Sequence, residues 1–256
     1  MKNLFLFLLL LNLVSCIDTK KVVYFNDIGN KAAIQSLAGI ESVISSNDML
    51  SINVSSRDLQ ATAIFNAPNL PMTPSGAPAT SMAQASGYLV SSEGTINFPL
   101  LGVLKISGKT KSQVENEIAS KLIESKLLFD PIVNVRYLNY RVTILGEVAR
   151  PGVVQIPSEQ VNILEAIGLA GDLTIYGKRN NILLIRQVGP QKILERLDLS
   201  SSKLFESPFF YLKSNDIIYV EPEKAKVASG TRGQQLLPYI ISGVSILALV
   251  LTNIFR

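Results

Sequence analysis

Two helices, each opened by a capping box and each set between segments of alternating apolar residues, constrain the fold of this chain more than any other feature. Thr110 with Gln113 opens the first helix, and Asn162 with Glu165 opens the second, which ends at Gly171. A capping box satisfies backbone N–H groups in the first turn, so it marks where a helix begins. Glycine commonly follows the last turn. The pattern predicts two blocks with one helix in each.

The first block covers residues 37–140, and its strands are indicated by apolar residues at every second position. The predicted elements are a strand over 50–54 after the turn Asn47-Asp48, two strands over 87–102 joined by a turn at Glu93-Gly94, a helix from Thr110 to about Glu124, and a strand over 132–138. The segment 66–86 is uncharged and rich in Pro, Ala, Ser and Thr. It is predicted to be a loop.

The second block covers residues 141–222. The predicted elements are strands on both sides of a turn at Arg150-Pro151-Gly152, a helix from Asn162 to Gly171, a loop over 171–181, strands over 182–187 and 192–199, and a closing strand within 213–222. Strands flank one helix in each block, so the predicted class is α+β with mixed sheets. The stretches "SSNDMLSINV" and "KSNDIIYVEP" share a Ser-Asn-Asp turn, which indicates common turn chemistry.

Composition excludes most enzyme classes. The chain of 256 residues has no histidine and one cysteine, so it has no His-based triad, no Cys–His pair and no zinc site of the usual nitrogen and sulfur ligands. A glycan hydrolase would need two carboxylates in a cleft; Glu93, Glu147 and Asp172 are available but lie at predicted turns. The net charge of +4 is spread along the chain without a basic cluster. No nucleic-acid partner is therefore expected.

The single cysteine lies at the end of an apolar N-terminal run. Lys2 precedes an apolar stretch over residues 4–13, and "LVSC" ends at Cys16. This order is typical of a secretory signal, and "LVSC" resembles the bacterial lipobox. The resemblance implies cleavage before Cys16 and acyl chains such as palmitate on that residue, which would anchor the chain firmly. The alternative is a plain signal peptide with an incidental cysteine.

The C-terminus is a second apolar run, uncharged from Tyr239 to Phe255. As a helix it would be about 25 Å long, which is just enough to cross a thin membrane. One side carries a narrow stripe of polar residues that includes Ser242, Ser245, Thr252 and Asn253. Two interpretations remain open: a single anchor whose hydroxyls bond to backbone carbonyls, or a ring of helices with the stripes facing a wet lumen.

The two blocks resemble the Wza-type outer-membrane polysaccharide export lipoproteins. "NDMLSINV" is similar to the family's Gly-Asp-x-Leu-x-Ile-x-Val element with Asn47 in place of glycine, and "GYLVSSEGTINFPLLG" is similar to its strand–turn–strand. "VTILGEVARPGVV", "NILEAIGLAGDL" and "NDIIYVEP" resemble an SLBB domain, a β-grasp-like module. One SLBB block is evident, so the periplasmic body should be shorter than in the longer family members.

The resemblance implies a domain plan and a function. The expected segments are a signal peptide (1–15), a lipidated linker (16–36), an export domain (37–140), an SLBB domain (141–222), a linker (223–235) and a C-terminal amphipathic transmembrane helix (236–256). The family implies a ring-shaped homo-oligomer, an octamer in the best-known type, in the outer membrane with its body in the periplasm. It also implies a passive, non-enzymatic conduit for capsular or exopolysaccharide that works with an inner-membrane co-polymerase. Ser242, Ser245, Thr252 and Asn253 would face its lumen, and no cofactor is expected beyond the lipid on Cys16.

A second interpretation is a lipid-anchored glycan-binding or scaffold protein without a pore. In that case the loop 171–181 would grip saccharide, and the helix would serve only as an anchor. The proposed contacts in the loop are Tyr176, Lys178, Arg179 and Asn180. A solvated loop or a contact between subunits is the alternative role of these residues, and it is favoured over ligand binding.

Overall fold

The computed structural model describes residues 23–29, 41–70, 86–189, 191–229 and 232–254. Two mixed α/β domains follow each other along the chain, as the sequence predicts. We call residues 41–139 the first domain and residues 140–222 the second domain.

The first domain is built around a three-stranded antiparallel sheet in the order β2-β1-β5, with a separate hairpin β3-β4. The strands are β1 (Met49–Ser55), β2 (Tyr88–Leu89), β3 (Thr95–Phe98), β4 (Gly102–Lys105) and β5 (Ile132–Tyr137). Leu50, Ile52 and Val54 point into the core and are at most 1% exposed. The predicted turn at Glu93-Gly94 is present, but the strands on either side of it belong to different sheets. Both sheets are antiparallel, so the prediction of a mixed sheet is wrong for this domain.

The helices of the first domain are α1 (Leu59–Asn66), which continues as a 3₁₀ turn (Ala67–Asn69), and α2 (Lys111–Glu124). The capping box of α2 forms as predicted: the Gln113 N–H donates to the Thr110 hydroxyl, and the Gln113 side-chain oxygen accepts from the Thr110 N–H. The three apolar residues of its inner face, Val114, Ile118 and Leu122, are fully buried. Each contributes roughly 1.5–3 kcal/mol of hydrophobic stabilisation. Most of the predicted 66–86 loop, residues 71–85, lies outside the described residues.

The second domain is a five-stranded sheet in the order β7-β6-β10-β8-β9 with one helix, α3 (Ile163–Leu169). Its strands are β6 (Arg141–Gly146), β7 (Gly152–Gln155), β8 (Gly177–Val188), β9 (Gln191–Leu197) and β10 (Ile217–Pro222). Strands β6 and β10 are parallel and the other neighbours are antiparallel, so this sheet is mixed as predicted. Gly146 ends the parallel pair at φ +89°, and a Cβ there would lie 2.0 Å from the Val220 carbonyl oxygen. The glycine of the "GEV" stretch is therefore required by the backbone.

The repeated Ser-Asn-Asp stretch forms the same turn in both domains. Asn47 and Asn215 adopt left-handed φ values of 69° and 67°. The carboxylates of the next residues, Asp48 and Asp216, each accept the N–H of the residue three positions earlier at 2.7 Å. Asparagine tolerates this conformation better than most residues, so shared turn chemistry explains the likeness.

Two helices follow the second domain: α4 (Lys224–Ser229) and α5 (Arg232–Ile254). Part of the predicted linker 223–235 is thus helical, and the C-terminal helix begins four residues earlier than predicted. Among the residues that the structure describes, no helix is long and apolar enough to cross a membrane. The predicted transmembrane span over 236–256 is therefore not supported, although the helix itself is present.

Candidate functional site

The loop between α3 and β8, residues 170–176, is the point where both ends of the folded body meet. Its start is shaped by Gly171 and Asp172, which have φ values of 81° and 73°. The Asp172 carboxylate accepts the Leu173 N–H at 2.6 Å, and the Thr174 N–H donates to the Glu147 carbonyl at 3.0 Å. These bonds hold the loop against the turn after β6. We call it the convergence loop.

The N-terminal residues 23–29, which we call the strap, dock on the second domain. The N–H groups of Phe25 and Asn26 donate to the carbonyls of Leu199 and Ser200 at 3.2 and 2.9 Å. The Phe25 ring stacks on Phe205 with centroids 4.9 Å apart. The strap therefore binds through main-chain bonds and through an aromatic contact with the 3₁₀ turn Ser202–Glu206.

The strap also carries two polar contacts. The Tyr24 hydroxyl donates to the Asp172 carboxylate of the convergence loop, and burial raises the pKa of this phenol. The Asp27 carboxylate accepts the Ser202 N–H at 2.9 Å, a bond that lowers the pKa of Asp27. Sequence reasoning missed this segment, although the adjacent aromatic residues Tyr24 and Phe25 were a usable signal.

The chain leaves the second domain at the other end of the convergence loop. The Glu223 N–H donates to the Tyr176 carbonyl at 2.7 Å, immediately before α4. Lys226 of α4 pairs with Glu147, which also accepts the Thr174 hydroxyl at 2.9 Å. The bond from Lys226 holds the pKa of the Glu147 carboxyl below its usual value. The strap and the exit to the C-terminal helices are thus fixed within five residues of one another, at Asp172 and Tyr176.

The four predicted glycan contacts occupy different environments. Tyr176 is 41% exposed in the convergence loop. Lys178, Arg179 and Asn180 belong to β8, so the predicted loop ends earlier than expected. Arg179 is 6% exposed, with its guanidinium 5.4 Å from the centre of the Tyr24 ring. Arg179 therefore contacts the strap from the interior of the second domain. Of the four residues, only Tyr176, Lys178 and Asn180 reach the surface. Their role in glycan binding remains a prediction.

A polar cluster covers one face of the sheet next to the exit. The Glu221 carboxylate pairs with Lys178 at 3.1 Å and with Arg196 at 2.8 Å, and it accepts the Asn181 amide at 2.8 Å. Hydrogen bonds from Arg196 and Lys178 lower the pKa of Glu221. Because the carboxylate is saturated with donors, this cluster acts as a structural clamp between β8, β9 and β10.

The four predicted lumen residues lie on α5 and are exposed. The hydroxyls of Ser242, Ser245 and Thr252 donate to the carbonyls of Pro238, Ile241 and Leu249 in the same helix, at 2.8–2.9 Å. Asn253 is the fourth residue of the set. Cys16, the predicted lipidation site, lies outside the described residues.

The carboxylates considered for hydrolysis are already engaged or remote. Glu147 and Asp172 hold the exit and the strap, while Glu93 lies at an exposed turn of the first domain. Within the described residues, no group of three or more carboxylate or thiol side chains is arranged to hold a metal ion.

Comparison with known proteins assigns both domains. Residues 38–138 match the family described as polysaccharide biosynthesis/export protein, and residues 140–220 match the SLBB domain. The pairing of these two domains supports a Wza-type polysaccharide export protein. The resemblance predicted from its sequence motifs is confirmed, and members of this export family are transport components, not enzymes.

The relatives that this chain matches carry names that agree with the family. It is 33% identical over 145 residues to the EPS I polysaccharide export outer membrane protein EpsA of Ralstonia solanacearum, and 34% identical over 146 residues to that of Ralstonia nicotianae. These alignments cover 55% and 56% of this chain and 38% of each relative. The exopolysaccharide production protein ExoF of Rhizobium meliloti is 36% identical over 94 residues, 36% of this chain and 22% of ExoF. The chain thus spans well under half the length of these relatives.

Proposed function

We propose that this chain is the lipid-anchored subunit of a ring-shaped channel that exports an exopolysaccharide or capsular polysaccharide through the bacterial outer membrane. The proposal is supported by the pairing of an export domain with an SLBB domain and by the names of the relatives. Since the relatives are much longer, their activity is carried over as a hypothesis about this chain.

The convergence loop is the observation that carries the proposal. Asp172 holds the strap, and Tyr176 holds the chain where it leaves for α4 and α5. Cys16 lies seven residues before Val23, so a lipid on Cys16 can be at most about 25 Å from the strap. In the proposed arrangement, the lipid anchor and the C-terminal helix are tethered to the same side of the second domain. This arrangement suits a body that hangs from one membrane into the periplasm.

The C-terminal helix supports assembly into a ring. Its apolar side chains from Tyr239 to Ile254 are 46–75% exposed in the single chain. A helix with so much exposed apolar surface requires a partner surface. In the proposed ring, equivalent helices of neighbouring subunits cover this surface, and Ser242, Ser245, Thr252 and Asn253 face the lumen. Weak, repeated polar contacts of this kind let a polymer pass without being retained.

One observation favours the second candidate, a lipid-anchored scaffold without a pore. The three hydroxyls of the polar stripe already donate to backbone carbonyls of their own helix. A hydroxyl satisfied in this way does not need a wet lumen. Its lone pairs and the Asn253 amide can still accept and donate bonds to sugar, so the channel stays the first candidate.

In the proposed channel the chain only conducts the polymer, so the driving force must come from elsewhere. We propose that polymer synthesis and an inner-membrane co-polymerase supply it. In this scheme the exported polysaccharide, the membrane lipid and the neighbouring subunits are the partners of the chain.

A Cys16→Ser variant tests the proposal, with Ser15→Ala as a control that keeps the cysteine. The expected results for the wild type are a mature chain that begins at Cys16 with acyl chains attached, closed rings in particle images of detergent extracts, and secreted polysaccharide. Cys16→Ser should lose the lipid mass and most secretion, whereas Ser15→Ala should keep both. A wild-type chain without lipid, or a monomer in detergent, would contradict the proposal.

A further inference from the structure

A groove runs along the seam between the two domains, away from the convergence loop. It consists of two adjoining cavities of about 220 and 250 Å³. They share a wall formed by Ser42, Tyr211 and Leu212. Small-molecule sites commonly occupy domain interfaces and measure about 300–1,000 Å³, so the two cavities together reach the size of a site for a small ligand.

The floor of the first cavity is rigid. The rings of Tyr137 and Tyr140 meet edge to face, with centroids 5.6 Å apart and planes at 80°. The Tyr140 hydroxyl donates to the Leu212 carbonyl at 2.8 Å. Burial raises the pKa of both phenols, so they stay neutral. The floor therefore offers fixed aromatic edges without charge.

Glu159 joins the two domains at the side of this cavity. Its carboxylate accepts the Tyr137 N–H of β5 at 2.8 Å and pairs with Lys111 of α2, so one second-domain residue binds two first-domain elements. Glu159 has a left-handed φ of 58°, a conformation that costs energy for a residue other than glycine. We call these contacts of Glu159 the latch. Because the latch holds the two domains together, the groove is formed before any ligand binds. Preformed sites avoid much of the ordering cost of binding.

The second cavity adds an aromatic face. Phe209 is half-buried, and the Arg186 guanidinium lies 5.1 Å from its ring centre. That guanidinium is itself bound in two places by the Asp216 carboxylate. Phe209 is thus held in place by a cation whose charge is already neutralised.

The chemistry of the lining selects the ligand class. Exposed Ser158 and Gln160 supply a hydroxyl and an amide, and half-buried Tyr211 supplies a ring and a hydroxyl. The basic groups Lys111 and Arg186 are paired with Glu159 and Asp216, and the lining carries one further cation, Lys213, and one further anion, Glu41. The lining therefore has little net charge to attract a phosphate or a polyanion. Sugars combine an apolar C–H face, which packs on aromatic rings, with hydroxyls that bond to amides and carboxylates.

We propose that this seam groove binds a neutral stretch of saccharide, with one sugar unit in each cavity. The proposal rests on the proposed export function, since it names the part of the subunit that contacts the exported polymer. The wall at Tyr211 would lie between the two sugars. Because residues of both domains line the groove, a bound polymer would contact both domains at once.

The test uses the full-length protein in detergent and fragments of two to six sugars from the surface polysaccharide of the strain that encodes the chain. Binding is measured by titration calorimetry. Tyr211→Ala removes the shared wall, and Gln160→Trp fills the first cavity from an exposed position. Both should weaken fragment binding by about tenfold or more. Phe129→Ala, at an aromatic position of the first domain that is 93% exposed and outside both cavities, is the matched control and should bind within about twofold of the wild type.

The outcomes separate this proposal from the proposed function. Absence of fragment binding by the wild type, equal binding by Tyr211→Ala and Gln160→Trp, or binding of acidic fragments alone would overturn the groove proposal. If deletion of the gene abolishes secretion while any of these results holds, the export function stands without the groove. If fragments bind as expected but deletion leaves secretion intact, the groove stands and the export function fails.

Discussion

Asp48 and Asp216 occupy the same position in two copies of one turn, yet their carboxylate oxygens have different hydrogen-bond partners. Both residues are 1% exposed. Arg186 donates to both oxygens of Asp216 at 2.7–3.2 Å. In the first domain, the Asp48 Oδ2 accepts one backbone N–H, and no described group bonds to its Oδ1. The second domain thus neutralises a buried charge that the first domain leaves uncompensated.

The stability of the first domain should therefore depend on the protonation of Asp48. Burial raises the pKa of Asp48 from 3.8 to about 6. The folded state binds this proton more tightly than the unfolded state, so the free energy of unfolding should fall as pH rises from about 4 to 6. Asp48→Asn removes this titration. Urea unfolding at pH 4, 5, 6 and 7 should show the wild type losing stability relative to Asp48→Asn as pH rises.

Ser92→Ala, which changes no titratable group at an exposed turn of the same domain, is the control and should show a nearly constant difference from the wild type across these pH values. A constant difference for Asp48→Asn as well would mean that Asp48 does not titrate in this range.

Arg186 should be the arginine whose loss is most damaging to the second domain. Its side chain is 6% exposed and that of Asp216 is 1% exposed. Arg186→Met would leave a buried carboxylate without its partner, which typically costs about 3–5 kcal/mol. Arg196→Met on the adjacent strand breaks a pair whose arginine is 56% exposed, and it should cost less than about 1 kcal/mol. Chemical denaturation of both variants at pH 7 gives the comparison, and similar losses would contradict the buried-pair argument.

At the level of elements, the sequence predicts what periodicity and capping encode. The two capping boxes, the inner face of α2 and the paired Asn-Asp turns all appear as expected, because each rests on short-range chemistry. Helix α1 was missed because only Thr62 and Phe65 of its eight residues are buried. Such a helix has no apolar stripe to detect.

The start of β8 was missed for a related reason. Residues 177–181 alternate between the core and the surface, but the inward positions are Gly177 and Arg179. Because neither inward residue has an apolar side chain, the segment does not show the alternation of apolar and polar residues that predicts a strand. The strap was missed since its contacts join residues more than 140 positions apart, such as Tyr24 and Asp172. Local patterns carry no information about such contacts.

The strap should depend on its aromatic contact. Phe25→Ala removes the ring that stacks on Phe205, an interaction worth roughly 0.5–1.5 kcal/mol beyond the apolar area it buries. The Asn26 N–H, which donates to Ser200, should then exchange with solvent at least several-fold faster. Val23→Ala, at a position that is 52% exposed, should leave that exchange rate unchanged. Equal protection of Asn26 in both variants would show that the strap is held by its polar contacts alone.

At the level of the whole molecule, the outer edge of β5 connects the domains. Its Val135 N–H donates to Glu115 of α2 at 2.8 Å, within the first domain. Its Tyr137 N–H donates to Glu159 of the second domain, also at 2.8 Å. Two backbone N–H groups on the same edge of one strand thus donate to glutamate carboxylates, one within the first domain and one in the second domain. This pairing provides an internal control for the role of the Glu159 latch.

Glu159→Ala should loosen the seam without unfolding either domain. The Tyr137 amide would lose its acceptor, and Lys111 would lose its ion pair. Since a hydrogen bond to a charged group contributes about 1.5–3 kcal/mol, exchange of the Tyr137 amide should accelerate by at least about tenfold. Small-angle scattering should show a broader distribution of domain orientations.

Glu115→Ala should accelerate exchange of the Val135 amide to a similar degree and leave the scattering unchanged, because it breaks no contact between domains. Glu159→Gln, which keeps an acceptor for Tyr137, should restore the slow exchange but not the pair with Lys111. If Glu159→Ala left both the exchange and the scattering of the wild type intact, the domains would be held together by apolar contacts at the seam, and Glu159 would have no role as a latch.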